Sequence, residues 1–268
     1  MLIQTTAMAS AHLDRNFNAP AGTLVPLDLP AITHGFMNRG GGVSVGAYRS
    51  FNLARWVGDD PLAVAENWRR WQAAHPAMAP ALLQQVHGIE VRTIGRDYGS
   101  ARATGDGAVT HERGIALCIF TADCVPILLA DAEHGVVGAL HAGWRGALAN
   151  IAAAGVRAMT AIGARAGAIT AALGPAISSC CFEVDEELAA RFADQIPCAP
   201  RHTRRGSPSK AFLDLRGIVA EQLADCGVNP ARILQSGPCT KCANDRYFSR
   251  RASGAPSGLQ MSFIGLTR

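Results

Sequence analysis

The chain has 268 residues, of which 49% are hydrophobic and 17% are charged, and its formal net charge is +4 at pH 7. These values are typical of a globular protein with a substantial core and exclude a largely disordered chain. The mild positive charge comes from scattered arginines and small local clusters, so it does not predict a nucleic-acid-binding protein.

The sequence also gives no sign of membrane insertion or secretion. The first residues, MLIQTTAMASAHLDRNF, lack the basic start and continuous apolar core of a signal peptide. No apolar run approaches the roughly 20 residues of a membrane span. We therefore expect a cytoplasmic protein without membrane contact, in which the eight cysteines are thiols or metal ligands rather than disulfides.

The first predicted elements are a glycine-rich loop and a capped helix. Arg39 precedes the glycine run Gly40–Gly42, which fits either a hairpin loop or a loop that carries Arg39 over a site. Asp59-Asp60-Pro61 then predicts the start of a helix over about Leu62–Ala74. This glycine run has neither the lysine of a phosphate-binding P-loop nor dinucleotide-binding spacing.

Short strands follow on both sides of a histidine. The apolar run Ala81–Val86 predicts a strand, and alternation predicts another over Ile89–Ile94, so His87 lies at a strand end beside a glycine. A histidine in such a position is often structural. Further along, Thr104–Thr110 predicts a turn that enters a strand, and Gly114–Phe120 a buried strand.

A hairpin forms the centre of the predicted fold. Apolar runs over Val125–Ala130 and Val136–Leu140 flank the turn residues Asp131–Gly135. Cys124 enters the first strand and His141 leaves the second, so the hairpin returns both to one edge of the sheet.

The remaining pattern mixes helices and strands without a regular repeat or a dividing linker, which predicts one α/β domain of mixed sheets over residues 1–268. The predicted helices are Ala147–Ile162, Asp185–Phe192 and Leu215–Cys226, with Pro197–Ser209 as a loop. The predicted strands are Ala168–Leu173, Ile233–Ser236, Tyr247–Phe248 and Met261–Leu266.

His87, Cys124 and His141 form a candidate metal site with two nitrogen ligands and one sulfur ligand. Zinc accepts imidazole and thiolate, and a catalytic zinc keeps three protein ligands and one open position, at which bound water is activated. In the alternative interpretation Cys124 is a nucleophile with His141 as its base. We favour the metal because a simple Cys-His pair leaves His87 without a function. Asp123 is a candidate for orienting a ligand or moving a proton, although it could equally be a solvated acid.

Two further features invite a functional interpretation. Arg145, at the start of the helix after His141, could bind an anion together with the helix N-terminus, or it could be a surface residue. The pair Cys239-x-x-Cys242 could form a separate structural site with Cys180-Cys181. Because adjacent cysteines seldom bind one ion comfortably, the sequence disfavours that site.

Ordered motifs along nearly the whole chain resemble the laccase-domain or polyphenol oxidase family, also known as peptidoglycan editing factor and grouped with purine nucleoside phosphorylases. The chain departs slightly from the family pattern at Thr104–Gly107, where members usually carry a plainer Ala-Asp-Ala. The motifs are RGGGVSVGAY, SFNL, GDDP, QQVHG, TGDGAVT, TADCVPILLAD, HAGWRG, LGPAISSCCFEV, GPCTKC and YFSRR.

The resemblance implies a four-layer α/β/β/α sandwich related to a toxin deamidase, with zinc at His87, Cys124 and His141. It implies phosphorolysis of adenosine, inosine and methylthioadenosine to the free base and ribose 1-phosphate, together with adenosine deamination. Phosphate would lie near Arg39 or Arg145, and we add Gln85 as a substrate-binding candidate. Purine nucleosides and inorganic phosphate are then the expected partners, and a monomer is the simplest oligomeric state.

The laccase name itself fits the sequence poorly. Copper oxidases that reduce dioxygen need about ten histidines, several in His-x-His pairs, whereas this chain has eight histidines and no such pair. Weak oxidation of phenols with Cu2+ at the same three ligands is still compatible with the site, because copper binds such ligands more tightly than zinc.

Three functions therefore stay open from the sequence. The first is a zinc-dependent purine nucleoside phosphorylase and adenosine deaminase. The second is a cysteine amidase or deamidase that uses Cys124 and His141, for example in editing peptidoglycan precursors. The third is a zinc-stabilised binding protein that unfolds when the metal is removed.

Overall fold

The computed structural model describes residues 27–98 and 102–267, so the stretch judged not to be a signal peptide lies outside the described residues. Its strands are β1 (Ile32–Phe36), β2 (Ala79–Leu82), β3 (Val91–Thr93), β4 (Gly107–Thr110), β5 (Ile115–Thr121), β6 (Val125–Asp131), β7 (Val136–Ala142), β8 (Thr170–Leu173), β9 (Glu183–Asp185), β10 (Thr203–Arg205), β11 (Lys210–Leu213), β12 (Ile233–Gln235) and β13 (Gln260–Leu266).

The helices are mostly short and lie between the strands. They are α1 (Pro61–Ala74), α2 (Trp144–Leu148), α3 (Ile151–Ala161), α4 (Glu186–Gln195), α5 (Leu215–Asp225) and α6 (Arg250–Ser253). The side chains of Asp60 and Asp214 accept hydrogen bonds at the starts of α1 and α5, as their positions in the sequence predict. Within the described residues, no helix combines the length and the apolar character needed to cross a membrane.

The strands form three sheets. The largest has six strands in the order β12-β8-β6-β7-β4-β3, the second has four in the order β1-β13-β5-β2, and the smallest is β10-β11-β9. Both larger sheets are mixed, because β12–β8, β3–β4 and β2–β5 are parallel pairs and their other pairs are antiparallel.

The two larger sheets stack face to face between helices. Alternate residues of a strand point to opposite faces, so in β6 Leu128 packs between the sheets with Phe36 and Ile119. Ile127 faces the other way, into the core that α3 and α5 share with the six-stranded sheet. The outer face of the four-stranded sheet packs through Phe263 against α1. The predicted four-layer mixed α/β fold is therefore confirmed, whereas its relation to a toxin deamidase stays a prediction.

The central hairpin is confirmed. Strands β6 and β7 pair antiparallel, with Val125 opposite Ala142 and Pro126 opposite His141. The connecting turn includes Gly135 in the left-handed region, at a φ of 64°. Cys124 immediately precedes β6, so the hairpin brings it to the same sheet edge as His141.

The prediction of one continuous helix over Ala147–Ile162 is wrong. The chain forms α2, breaks, and then forms α3. At the break Asn150 has a φ of 63°, and its side chain accepts a hydrogen bond from the backbone N–H of Ala153. Asparagine tolerates the left-handed backbone and satisfies helix N-terminal donors, so it starts a second helix instead of continuing the first.

Three other predicted elements differ from the structure. The predicted loop over Pro197–Ser209 contains β10, which pairs with β11 in an antiparallel hairpin. The predicted strand at Tyr247–Phe248 is irregular, because the backbone N–H and C=O of Phe248 bond to the amide side chain of Gln260 instead of to a strand. The predicted strand over Ala81–Val86 is displaced towards the N-terminus and ends at Leu82.

Candidate metal centre

The structure brings His87, Cys124 and His141 together at one edge of the six-stranded sheet. Their ligand atoms all lie within 4.8 Å of one another, and the two imidazole rings are 4.8 Å apart with planes at 77°. His141 is buried, Cys124 is partly buried and His87 is exposed. The arrangement therefore offers two nitrogens and one sulfur from three segments of the chain, with an exposed side.

Local backbone geometry makes room for these three side chains. His87 has a φ of 62° and lies in the loop between β2 and β3, and Asp123, just before Cys124, has a φ of 93°. Gly143 follows β7 directly. A Cβ atom at that position would lie 2.9 Å from His87 Cδ2 and 3.2 Å from Cys124 Sγ, so only glycine leaves space for both ligands.

One buried carboxylate, that of Asp106, orients two of the three ligands. Its Oδ1 accepts hydrogen bonds from His141 Nδ1 at 2.8 Å and from the backbone N–H of His87 at 2.9 Å. Its Oδ2 accepts from the backbone N–H groups of Val86 at 3.1 Å and Gly88 at 2.7 Å. Carboxylates commonly fix the tautomer of metal-binding histidines in this way, and here the bond leaves His141 Nε2 free for a metal.

Sequence reasoning missed this function of Asp106. The motif Thr104–Thr110 predicts a turn that enters a strand, and the structure confirms this strand as β4. The available signal was an acidic residue between two glycines, immediately before the fully buried β4. Such a residue lies on a tight turn, yet its side chain is completely buried, and a buried acid requires partners.

The electrostatics of the metal-free site make Cys124 a thiolate. Burial raises the pKa of Cys124, but the charges and hydrogen bonds of His141 and His87 outweigh burial and lower it to about 6. Burial lowers the pKa of His141, but the Cys124 thiolate and Asp106 outweigh burial and raise it to about 9. Burial likewise raises the pKa of Asp106, yet hydrogen bonds from His141 and the backbone hold it below its ordinary value. At neutral pH these groups form a thiolate–imidazolium–carboxylate row.

Cys124 of the metal-free protein is therefore expected to react with iodoacetamide at unusually low pH. The thiolate is the reactive form, so the alkylation rate should rise with pH and reach half its plateau near pH 6, where Cys124 titrates. The rate at Cys124 can be followed by peptide mass spectrometry. Cys226 is the control, because burial raises its pKa above the ordinary 9.0. A half-plateau near pH 9 for Cys124 would contradict the thiolate–imidazolium arrangement.

Asp123 lies beside the cluster and holds three neighbouring segments together. Its Oδ1 accepts a hydrogen bond from Thr240 Oγ1 and its Oδ2 from the backbone N–H of Arg251, both at 2.7 Å. Its backbone C=O accepts from the N–H of Ile177 at 2.9 Å. These contacts fix the entry into β6 and hence the position of Cys124. A direct function of Asp123 in catalysis stays a prediction.

Gln85 and Arg39 are both tied to the backbone of other segments. The amide of Gln85 donates to the C=O of Phe120 at 2.9 Å and accepts from its N–H at 2.8 Å. Arg39 Nη1 donates to the C=O of Asn244 at 2.8 Å, and the guanidinium carbon lies 4.7 Å from the ring centroid of Phe248. The segment after Phe248 reaches Asp123 through Arg251. Arg39 therefore packs against the segment that also carries Arg251, a contact of Asp123.

Arg145 lines a groove beside α4. Its guanidinium carbon is 4.2 Å from the ring centroid of Trp144, and it lines an open groove of about 520 Å³ together with Arg191 and Gln195 of α4. The residues that line this groove do not include any of the three candidate metal ligands. The binding of phosphate by Arg145 stays a prediction.

The donor set fits a catalytic metal ion. Two imidazoles and one thiolate are soft-to-borderline ligands suited to zinc or copper, and three protein ligands leave room for a fourth, exchangeable one. The spread of ligand atoms, within 4.8 Å, is compatible with a common centre at bond lengths of about 2.0–2.3 Å.

Comparison with known proteins places this arrangement in a family. The family model described as multi-copper polyphenol oxidoreductase laccase matches residues 33–267. The chain is 41% identical over 227 residues to a purine nucleoside phosphorylase of Streptomyces griseus, covering 81% of this chain and 91% of that protein. It is 38% identical over 252 residues to a purine nucleoside phosphorylase of Deinococcus radiodurans, covering 93% and 95%.

Solved structures agree with the sequence comparison. The crystal structure of YlmD from Geobacillus stearothermophilus matches with a TM-score of 0.84 and 33% identity, covering 90% of this chain and 93% of that one. A structure from Neisseria meningitidis matches with a TM-score of 0.82 and 31% identity, covering 89% and 96%.

Proposed function

This chain belongs to the multi-copper polyphenol oxidoreductase laccase family, and from that premise we propose that it is a zinc-dependent purine nucleoside phosphorylase. The zinc ligands in this proposal are His87, Cys124 and His141. The observation that carries the proposal is their convergence within 4.8 Å in a chain whose similar relatives are named purine nucleoside phosphorylases. Bound zinc would supply a Lewis acid at the exposed side of the cluster.

The residues around the cluster would hold the three ligand side chains in the protonation states that a metal ion requires. Asp106 would keep the proton of His141 on Nδ1, which leaves Nε2 as the ligand atom, and its bonds to the backbone around His87 would hold the loop that carries the second imidazole. The thiolate form of Cys124, favoured by both histidines, needs no further base. The chain thus preorganises three ligands before a substrate arrives.

In phosphorolysis, an oxygen of inorganic phosphate forms a bond to the anomeric carbon of the ribose. The bond from that carbon to the purine nitrogen breaks, and the purine leaves with the electron pair and takes up a proton. The products are the free base and ribose 1-phosphate. We infer that adenosine, inosine and methylthioadenosine share this reaction, since the bond that breaks is common to all three.

Arg39 is the better candidate of the two arginines for the phosphate. Two of its guanidinium nitrogens donate to backbone C=O groups, those of Arg49 and Asn244, which fixes its orientation beside the segment that reaches Asp123 through Arg251. Arg145 instead lines the groove with Arg191, and none of the three ligands lines that groove. In this proposal Arg39 supplies the charge that binds phosphate, and Gln85 and Asp123 position the loops that carry His87 and Cys124.

Adenosine deamination and weak oxidation of phenols with Cu2+ are proposed as secondary activities of the same ligands. Cu2+ fits the two imidazoles and the thiolate as well as zinc does. A cytoplasmic location would supply both nucleosides and phosphate.

The proposal predicts that adenosine is split only in the presence of phosphate. Purified protein with zinc should release adenine and ribose 1-phosphate from adenosine plus phosphate, as measured by chromatography of the bases. Deamination of adenosine to inosine does not consume phosphate. The rate at which inosine forms in the absence of phosphate therefore measures the deaminase activity separately. Robust turnover in metal-free protein would contradict the proposal. Activity that survives chelators but is lost on alkylation of Cys124 would favour the cysteine amidase or deamidase instead.

A further inference from the structure

Four cysteines form a second cluster on the loops that hold Asp123. They come from two turns far apart in the sequence, and their sulfur atoms all lie within 4.8 Å of one another. The cluster consists of Cys180, Cys181, Cys239 and Cys242. It is separate from His87, Cys124 and His141, and nothing in the proposed function uses it.

The distances within this cluster match a tetrahedral metal site and not a disulfide. Cys242 Sγ lies 3.4 Å from the sulfur of Cys181 and 3.7 Å from that of Cys180. In a tetrahedron of four thiolates with zinc–sulfur bonds of about 2.3 Å, neighbouring sulfurs are about 3.8 Å apart. A disulfide would require about 2.05 Å, and all four of these cysteines are free.

A tight turn allows the adjacent cysteines Cys180 and Cys181 to bind one ion. The N–H groups of Cys181 and Phe182 both donate to the C=O of Ser178, so the chain turns through Cys180 and Cys181. In an extended strand two neighbouring side chains would point to opposite sides. In this turn both sulfurs approach Cys242.

The second pair has the geometry of a metal-binding knuckle. The N–H of Ser178 points at Cys239 Sγ from 3.5 Å. The N–H of Ala243 donates to the C=O of Cys239, which closes the turn between the two cysteines. Backbone donors of this kind stabilise a thiolate, the form in which cysteine binds a metal.

We propose that Cys180, Cys181, Cys239 and Cys242 bind a structural zinc ion that fastens together the two irregular loops that contact Asp123. Four thiolates fill the coordination sphere of zinc, so this site has no open position for a substrate.

The proposed ion would act on the active site through the loops it joins. Thr240, between the two cysteines of the second pair, donates to Asp123, and its N–H bonds to the C=O of Ala176 in the other loop at 3.1 Å. Asp123 in turn sets the entry of Cys124 into β6. The four-cysteine zinc site therefore helps to position Cys124 in the candidate active site.

Metal analysis of the purified full-length protein tests this proposal. We expect two zinc ions per chain, and one in Cys242→Ser. Cys226→Ser, which changes a half-buried cysteine outside the cluster, should keep both. One ion per chain in the wild type, with no change in Cys242→Ser, would overturn the proposal.

A second measurement keeps the test decisive if Cys242→Ser fails to fold. His87→Ala leaves the four cysteines intact, so it should retain one ion. After cobalt exchange, that ion should show the strong thiolate-to-cobalt absorption of a four-thiolate site. Thiol titration of the denatured, metal-free wild type should find all eight cysteines reduced. A missing pair of thiols, or loss of all metal in His87→Ala, would show that the cluster does not bind zinc.

Discussion

Replacement of His87 by alanine is expected to remove the metal ion of the candidate active site and to abolish turnover of adenosine. Its imidazole is one of three ligands, and two remaining protein ligands hold zinc weakly. The loss in kcat/KM should exceed the roughly 10–100-fold that removal of a hydrogen-bond partner of a ligand costs. Because the His87 side chain is exposed, and its backbone N–H still reaches Asp106, the fold should be little affected.

Metal content and kcat/KM of His87→Ala, compared with wild type, check this prediction. His111→Ala is the matched control, since it removes an exposed histidine outside the cluster and should change neither quantity. His87→Asn serves as a second variant, because asparagine accepts the left-handed backbone at this position more readily than alanine. Wild-type metal content in His87→Ala would refute the assignment of this residue as a ligand.

Replacement of Asp106 by asparagine should weaken metal binding by about 10–100-fold, although Asp106 is not itself a ligand. The carboxylate accepts four hydrogen bonds, from His141 and from three successive backbone N–H groups. An amide has one acceptor oxygen, and its NH2 group would face donors. The exchange leaves buried groups unpaired, so the free energy of unfolding should also fall, by about 3–5 kcal/mol.

A second buried aspartate that is paired with a histidine provides the control. At the turn of the same hairpin, Asp131 Oδ2 lies 2.8 Å from His134 Nδ1, and Asp131 is fully buried like Asp106. Asp131→Asn should lower the free energy of unfolding but leave the zinc dissociation constant unchanged. Chelator competition measures the affinity, and urea titration measures the stability. Equal zinc affinities for Asp106→Asn and wild type would show that Asp106 does not position the ligands.

The pKa of His141 bears on how Asp106→Asn changes metal binding. Both the Cys124 thiolate and the Asp106 carboxylate raise it to about 9, so the metal-free site holds a proton on each nitrogen of His141 at neutral pH. Zinc must displace the proton from Nε2. In Asp106→Asn this proton is released more easily, but the imidazole also loses its fixed orientation. We expect the loss of orientation to dominate.

The sequence by itself determined the features that depend on local patterns. Apolar runs on both sides of Asp131–Gly135 predict the hairpin, because buried strands and turn residues leave a signal within a dozen positions. The hairpin then places Cys124 beside His141 without knowledge of the rest of the fold. Acidic caps at Asp60 and Asp214 likewise predict the starts of two helices.

Only the tertiary structure decided which distant residues meet. Asp106 contacts His141 across 35 positions, and Cys181 meets Cys242 across 61. Neither pair has a fixed spacing that sequence periodicity could reveal, since such contacts depend on the packing of sheets and loops. The groove that Arg145 lines depends in the same way on the packing of α4. Local sequence thus supplied the ligands of the candidate centre, while long-range packing supplied the carboxylate that orients them and the cysteine cluster that braces their loops.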